Sequence, residues 1–139
     1  MDDLDRRLLS LLRSNAREPA ASLAKRLKVT RGTVQNRIGR LLARGDILGF
    51  TVRTRPEVDA GRVRAIMCIT IEGERSARVV RALKGFAEVG AIHTTNGRWD
   101  LVVELNTASL AEFSKALDQI RLIEGIAATE TSLLLADIR

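Results

Sequence analysis

The chain has 139 residues, of which 45% are hydrophobic and 29% charged, so it can bury a packed core and is not expected to be disordered. Its formal net charge is +6. Residues 1–60 hold 13 Lys and Arg against 7 Asp and Glu, while residues 61–139 hold 10 of each sign. The first part therefore suits a polyanionic partner, because neutralised phosphates release counterions. A solvated basic surface without a partner is the alternative interpretation.

Several classes of protein are excluded by simple counts. A single cysteine, Cys68, excludes an intramolecular disulfide, and no apolar run approaches the ~20 residues of a membrane span. The opening residues MDDLDRR do not form a signal peptide. We expect a cytoplasmic protein without membrane contact, with Cys68 as a small buried hydrophobe. The only histidine, His93, is expected to be an ordinary strand side chain, and no metal-spaced cluster predicts a metal or cofactor.

Leucine spacing predicts three helices in the first part. Residues 4–14 carry Leu4, Leu8, Leu11 and Leu12 at helical intervals, and a second helix buries Leu23, Ala24 and Leu27. Pro19 replaces the usual polar cap, so the start of this second helix is less certain than its existence. A third helix carries Val34, Ile38, Leu41 and Leu42 on one face. All three are expected to pack together.

The second and third helices are joined by a sharp turn. The connection Lys28-Val29-Thr30 is too short for anything else, and Thr30 can cap the helix that follows. Helices joined in this way cross steeply, as in a helix-turn-helix. The exposed face of the third helix carries hydroxyl, amide and guanidinium groups that can bond bases and phosphates, and no acid: Arg31, Thr33, Gln35, Asn36, Arg37 and Arg40.

A hairpin and a hinge are predicted after the third helix. Residues 45–53 combine a Gly-Asp turn with β-prone residues, which predicts a short two-stranded wing from which Arg53 and Arg55 could reach a phosphate. Residues 54–61 contain Pro56 and Gly61 without a helical or alternating pattern. The predicted domains are thus residues 1–53 and 64–139, with a hinge at 54–63.

The second part alternates strands and helices. Apolar and β-branched residues predict strands at 64–71, 89–95, 99–105 and 126–138, and helical spacing predicts helices at 74–86 and around 110–120. The resulting βαββαβ order is the split βαβ arrangement, in which an antiparallel sheet packs both helices on one face. The fold class is therefore α+β. Apolar runs such as Leu133-Leu134-Leu135 indicate burial on both sheet faces, which predicts dimerisation through the sheet.

The whole chain resembles the Lrp/AsnC, or feast/famine, transcription regulators. The resemblance rests on the order and spacing of weak motifs: Leu4-Asp5-Arg6-Arg7-Leu8-Leu9, Ser22-Leu23-Ala24, Val29-Thr30-Arg31-Gly32-Thr33-Val34 with Arg37-Ile38, Gly45-Asp46-Ile47-Leu48-Gly49-Phe50, Gly97-Arg98-Trp99-Asp100-Leu101, Ile123-Glu124-Gly125-Ile126 and Thr129-Glu130-Thr131. It implies an amino-terminal winged helix-turn-helix and a carboxy-terminal ferredoxin-like (RAM/ACT-like) domain that responds to a ligand. It also implies homodimers that assemble further, commonly to octamers.

The same resemblance implies roles for particular residues. Residues 30–40, from Thr30 to Arg40, form the recognition helix on double-stranded DNA, while Lys25, Lys28, Arg44 and the wing hold the backbone. An amino-acid effector is bound by the loop Gly97, Arg98, Trp99, Asp100 and Leu101, with Thr129, Thr131, Ser132 and Leu133 supplied by a neighbouring subunit. Asp100 can accept from an α-ammonium, and the threonine hydroxyls can bind a carboxylate or amide. Equally, Trp99 can be a core anchor and Asp100 can order its own loop.

Other functions remain as alternatives. Since the chain has Trp99 and no tyrosine, its effector can differ from that of relatives, or it can be a regulator without an effector. Siroheme decarboxylases share the two-domain layout, but a single histidine and a single cysteine leave little for catalysis, so no catalytic residue is assigned. A third interpretation, an amino-acid-binding protein that never contacts DNA, does not explain why the positive charge lies in the helix-turn-helix half.

Overall fold

A computed structural model of the chain describes residues 1–138, with only the backbone described at Pro56. The chain divides into two compact units, Met1–Arg53 and Thr54–Arg139. The division falls where the predicted hinge begins. Residues 54–63 include a 3-10 turn at Pro56–Asp59 and no longer element before the first strand, and their role as a hinge stays a prediction.

The first unit is a bundle of three helices, as the leucine spacing predicts. The helices are α1 (Asp3–Ser14), α2 (Ala20–Leu27) and α3 (Arg31–Ala43). Their buried apolar side chains form one core: Leu8, Leu12, Leu23, Ala24, Leu27, Val34, Leu41 and Ile47. Leu42, which the pattern places on the buried face of α3, is 42% exposed because it lies at the edge of that face.

Each helix start has a local explanation. Asp2 and Asp5 cap α1 reciprocally, each carboxylate accepting from the other residue's backbone N–H. Pro19 precedes α2 without a side-chain cap, but the Glu18 carboxylate accepts from the Ser22 hydroxyl at 2.7 Å. This bond, followed by the interaction with Arg26, lowers the pKa of Glu18. A carboxylate beside the first turn of α2 also interacts favourably with the positive end of the helix dipole. These interactions compensate for the missing cap.

The turn between α2 and α3 is as tight as the sequence predicts. Lys28 adopts the left-handed conformation, with φ 58° and ψ 45°, and its N–H bonds back to the end of α2. The Thr30 hydroxyl then accepts from the Thr33 N–H at 3.1 Å and caps α3. The helix-turn-helix is therefore fixed by one backbone reversal and one side-chain cap.

The prediction of a two-stranded wing at residues 45–53 is wrong. Residues 45–55 contain no strand. Ile47 is anchored in the helical core, but Leu48 is 96% and Val52 78% exposed. An isolated two-stranded hairpin is marginal in water, and of residues 45–53 only Ile47 belongs to the core of the unit. Apart from Ile47, the apolar side chains of this segment are therefore open to solvent.

The second unit has the predicted βαββαβ order. Its elements are β1 (Val63–Ile71), α4 (Ser76–Leu83), β2 (Val89–Thr94), β3 (Leu101–Thr107), α5 (Leu110–Arg121) and β4 (Ile126–Leu133). The sheet order is β2-β3-β1-β4, and every neighbouring pair is antiparallel. The α+β fold class is confirmed.

The two faces of the sheet differ in burial. Alternate residues of β1 and β3 pack against both helices in a single core, which includes Met67, Ile69, Val103, Leu83 and Ile120. The opposite face, here called the open face, carries half-buried Ile66, Cys68 and Val102 in the middle. Cys68 is therefore not a core residue, because its position in β1 points it away from the helices.

Two of the differences between the predicted and observed strand ends bear on the candidate site. The last strand ends at Leu133 rather than at residue 138, and its last registered partner in β1 is Ala65. Leu135 is 93% exposed. The third strand begins at Leu101, two residues later than predicted, which leaves Trp99 in the preceding loop.

No helix within residues 1–138 is long and apolar enough to cross a membrane.

Candidate nucleic-acid interface and ligand site

The exposed face of α3 presents four side chains that are free to bind a partner. Arg31, Gln35, Asn36 and Arg40 are exposed, and their side chains make no hydrogen bond or ion pair to any described residue. At about 100° per residue they span one half of the helix, with Arg31 and Arg40 at the two edges. Two amides between two guanidinium groups can bond base edges and phosphates together.

Arg37 is predicted on the same face, but its guanidinium is already engaged. Arg37 Nη1 donates to the Asp5 carboxylate at 3.0 Å and to the Asp2 carboxylate. Asp5 is only 3% exposed. A buried carboxylate without a partner is costly, so this interaction ties α3 to the start of α1. We call Asp2, Asp5 and Arg37 the acid clamp.

The acid clamp shifts the pKa of each of its members. The hydrogen bond from Arg37 is the main cause that lowers the pKa of both Asp2 and Asp5, and the backbone bonds of the capping box add to it. The same contacts raise the pKa of Arg37. All three groups are therefore held in their charged forms.

The remaining predicted DNA contacts also have intramolecular partners. Arg44 pairs with Asp46 at 2.6 Å, and both side chains are partly exposed. The hydroxyls of Thr30 and Thr33 lie 2.9 Å apart at the start of α3, where Thr30 serves as the cap. Of the eight predicted contacts, the structure leaves Arg31, Gln35, Asn36 and Arg40 free and gives the other four a local role.

Two glycines lie in the middle of the exposed arc of α3. A Cβ at Gly39 would meet nothing within 4 Å, and one at Gly32 would meet only the Thr30 hydroxyl at 4.0 Å. Packing inside the unit therefore does not require glycine there. Their absence of side chains lets a partner approach the helix backbone between the free arginines.

The loop from residue 95 to 100 is ordered by its own bonds. The Thr95 hydroxyl donates to the Trp99 carbonyl and accepts from the Gly97 N–H at 3.2 Å. Asp100 Oδ2 accepts from the Ile71 N–H at 2.7 Å, and the Asp100 N–H donates to the Ile69 carbonyl at 2.9 Å. Asp100 therefore holds the loop against the end of β1. Its second carboxylate oxygen remains for another partner.

The other predicted loop residues fall into different environments. Arg98 lies over the Trp99 ring, 5.1 Å from its centroid, so it forms a cation–π contact. Trp99 is half-buried, while Leu101 is 1% exposed and belongs to the core. Only Gly97, Arg98, Trp99 and Asp100 can offer atoms to a ligand at the loop surface.

The predicted residues of β4 do not share one face. Thr129 and Thr131 pair with Ile69 and Met67 on the helix side, whereas Ser132 pairs with Ile66 on the open face. Leu133, on the helix side, is 42% exposed. Leu101 and Thr129 flank Ile69 on opposite sides, so the loop and β4 are two strand spacings apart, about 10 Å, within one chain.

Sequence reasoning missed the acid clamp. The Asp-x-x-Asp spacing at the start of α1 signals a capping box, but nothing in the sequence pairs it with Arg37, 32 residues beyond Asp5. Among the described residues, the buried Thr131 hydroxyl has no hydrogen-bond partner.

His93 lies 3.3 Å from Glu104 on the neighbouring strand. In residues 1–138 no three His, Cys, Asp or Glu side chains could together hold a metal ion.

A helix-turn-helix with unpaired arginines and amides on its second helix, followed by a separate antiparallel α+β unit, defines a DNA-binding protein with an additional domain. A family model described as the AsnC-type helix-turn-helix domain matches residues 1–42, and one described as the Lrp/AsnC ligand binding domain matches residues 64–139. The chain belongs to the Lrp/AsnC family of transcriptional regulators.

Individual relatives agree over nearly the full length. An uncharacterised HTH-type transcriptional regulator of Pyrococcus furiosus is 30% identical, covering 100% of this chain and 94% of its own. The structure of Escherichia coli AsnC matches with a TM-score of 0.78 at 25% identity, covering 99% of this chain and 93% of that one. A transcriptional regulator of Neisseria meningitidis, solved as a complex with L-Met, has a TM-score of 0.79 at 20% identity, covering 100% and 92%.

These comparisons decide between the classes of function. The relatives are transcriptional regulators and not enzymes, so the prediction of a DNA-binding regulator is confirmed and the decarboxylase alternative is not supported.

Proposed function

We propose that this regulator reads DNA with Arg31, Gln35, Asn36 and Arg40 of α3. The observation that carries the proposal is that these four side chains are exposed and free on one half of the helix, while its other polar groups are engaged within the unit. Lys25 and Lys28 are exposed beside the turn and are proposed to hold the DNA backbone. A dimer would place two such helices about one DNA turn apart, or a multiple of it.

Fluorescence anisotropy tests this proposal directly. The full chain is titrated onto its gene's upstream duplex and onto a scrambled duplex of equal length at near-physiological salt. We expect selective binding to the upstream duplex, lost in Asn36→Ala and kept in Lys115→Ala, which changes an exposed residue of α5. If wild type and Asn36→Ala bound each of the two duplexes with the same affinity as one another, the assignment of α3 as the reading element would be overturned.

We further propose that an amino-acid-like effector binds at an interface of second units and changes DNA affinity or assembly. The match of residues 64–139 to a ligand binding domain supports this, as does the L-Met complex of the Neisseria meningitidis regulator. The loop surface offers the free oxygen of Asp100 and the ring of Trp99. Thr129 lies about 10 Å from this loop, and Ser132 lies on the open face of the sheet. A neighbouring subunit would therefore complete the site.

The Asp100→Asn variant separates two roles of this side chain. An amide oxygen can still accept from the Ile71 N–H, so the loop stays ordered, but the negative charge for an α-ammonium is lost. We expect Asp100→Asn to bind DNA like wild type and to lose its response to a pooled amino-acid mixture. An unchanged response would assign Asp100 to loop order alone, and a wild type indifferent to the pool would favour the effector-independent alternative.

We propose that the open face of the sheet is covered by a second copy of the chain and that dimers associate further, to octamers. The half-buried patch of Ile66, Cys68 and Val102 lies in the middle of that face, with exposed Glu104 and Glu130 around it. Sedimentation analysis of wild type and Val102→Arg tests this. A charge in the patch should release smaller species, whereas an unchanged mass would reject this face as the interface.

A further inference from the structure

The exposed arc of α3 contains a strip without long side chains. Because successive residues of a helix are about 100° apart, Gly39, Gly32 and Ala43 fall within about 40° of one another around the axis. All three residues are exposed, and a Cβ at Gly39 would meet no described atom within 4 Å. We call Gly32, Gly39 and Ala43 the bare strip. It runs about 16 Å along α3, and the first unit leaves the space above it open.

The two free amides of α3 lie on either side of the bare strip. Gln35 is about 40° from Gly39 around the helix axis on one side. Asn36 is about 40° from Gly32 on the other side. Both side chains are exposed and make no hydrogen bond to any described residue. Since the two residues are about 1.5 Å apart along the axis, both amides can reach the same stretch of a surface that faces the strip.

The two free arginines lie at the edges of the same arc. Arg31 and Arg40 are each about 90° from the middle of the bare strip, on opposite sides of it. When a helix lies in the major groove, its flanks face the sugar-phosphate walls and the part between them faces the base edges. A guanidinium on a flank meets phosphates, which carry no sequence information directly. Base recognition therefore depends on the groups beside the bare strip.

An amide side chain matches one base better than the other three. It has an oxygen acceptor and an NH₂ donor, and adenine presents the N7 acceptor beside the N6 donor in the major groove. Guanine presents two acceptors there and cytosine only a donor, so neither pairs with both parts of an amide. Thymine adds a methyl group, which needs an opposing surface free of long side chains. The bare strip is such a surface, and it lies between the two amides.

We propose that Gln35 and Asn36 each bond the N6 and N7 edge of an adenine in the major groove, while the bare strip contacts the methyl groups of nearby thymines. Arg31 and Arg40 bind phosphates in this arrangement. The inference rests on the proposed role of α3 in DNA recognition. It adds which base pairs α3 recognises, namely neighbouring A·T pairs, and which side chains recognise them.

Selection from a library of duplexes with a randomised centre tests the assignment of the bases. The full chain is compared with Gln35→Ala, with Asn36→Ala and with the control Arg40→Met. We expect wild type to enrich neighbouring A·T pairs, and each alanine variant to lose the preference at a different one of them. Arg40→Met should enrich the same sequence with lower affinity.

The outcomes of the selection separate this inference from the proposed function. A G·C preference that disappears in Asn36→Ala would keep α3 as the reading element and overturn the inference. An enriched sequence that neither alanine variant alters would also overturn it. If wild type enriched no sequence at all, both the inference and the proposed function would be rejected.

Base analogues in the selected duplex test the bonded atoms. Replacing the adenine assigned to Asn36 by 7-deazaadenine removes the N7 acceptor and keeps base pairing. We expect this to weaken wild-type binding about fivefold and to leave the affinity of Asn36→Ala unchanged. Replacing thymine by uracil removes only a methyl group and should weaken wild-type binding about threefold. Unchanged wild-type affinity for the 7-deazaadenine duplex would overturn the adenine assignment, and unchanged affinity for the uracil duplex would reject the contact of the bare strip.

Discussion

At the residue scale, Arg37 shows how a side chain on a reading face can serve the fold instead. Its position on α3 is typical of a DNA contact, yet its guanidinium faces two carboxylates of α1. Asp5 is buried, so the charge-assisted bond from Arg37 satisfies a group that water cannot reach. The acid clamp therefore ties α3 to α1, and the proposed DNA contacts Arg31 and Arg40 keep free guanidinium groups.

The first prediction compares two arginines of the same helix. Arg37→Met should lower the melting temperature of the first unit by several degrees, because it leaves Asp5 buried without its cation. Arg40→Met should leave the melting temperature unchanged and weaken DNA binding. Circular dichroism melts and anisotropy titrations on both variants measure this. Equal melting temperatures for the two would show that the acid clamp contributes nothing to stability.

The second prediction concerns pH and follows from the lowered pKa of Asp2 and Asp5. A lowered carboxyl pKa contributes stability above the ordinary Asp value of about 3.9, and this contribution is lost as the pH falls toward the folded-state pKa. The difference in melting temperature between wild type and Arg37→Met should therefore be full at neutral pH and shrink below about pH 4. A difference that is constant across this range would contradict the charged state assigned to the clamp.

At the element scale, α3 combines a buried edge with an exposed arc interrupted by glycine. Glycine in a helix interior costs about 1 kcal/mol relative to alanine, and neither Gly32 nor Gly39 is needed for packing within the unit. A residue without a side chain leaves the helix backbone open to close approach by a partner. Both weak helix formers thus lie in the exposed arc that we propose meets DNA.

The third prediction sets stability against binding in one variant. Gly39→Ala should raise the stability of the first unit by up to about 1 kcal/mol and weaken binding to the upstream duplex. Ser10→Ala, on an exposed position of α1, is the matched control and should stabilise without changing DNA affinity. If Gly39→Ala binds DNA as wild type does, close approach at this glycine is not part of recognition.

The strands show which local patterns suffice for an element. Residues 64–71 and 101–107 alternate between the core and the open face, and both form where the apolar pattern predicts them to within two residues. Residues 47–52 carry a similar alternation but form no strand, and of these residues only Ile47 belongs to the apolar core of the first unit. A β-prone pattern therefore becomes a strand only where a neighbouring strand can pair with it.

At the scale of the whole molecule, the two units differ in charge. The positive excess lies in the first 60 residues, and residues 61–139 hold equal numbers of basic and acidic side chains. Some of the basic side chains are paired with acids of the same unit, since Arg26, Arg37 and Arg44 all lie in ion pairs. The remaining free cations of the first unit are those that can release counterions from DNA.

The fourth prediction separates backbone contacts from base contacts. Lys28→Gln should weaken binding to upstream and scrambled duplexes alike and reduce the slope of log affinity against log salt by about 0.9. Asn36→Ala should leave that slope unchanged and reduce the preference for the upstream duplex. Affinities measured over a series of salt concentrations give both quantities. A salt slope that falls in Asn36→Ala but not in Lys28→Gln would reverse the two assignments.

The sequence by itself determined the three helices, the tight turn, the βαββαβ order and the family, because these depend on local spacing of apolar residues and on turn and cap chemistry. The tertiary structure decided which of the predicted DNA-contacting side chains have no partner within the chain. Arg37 meets Asp5 from 32 positions away. Partners so distant in sequence are brought together by packing, and local patterns carry no record of them.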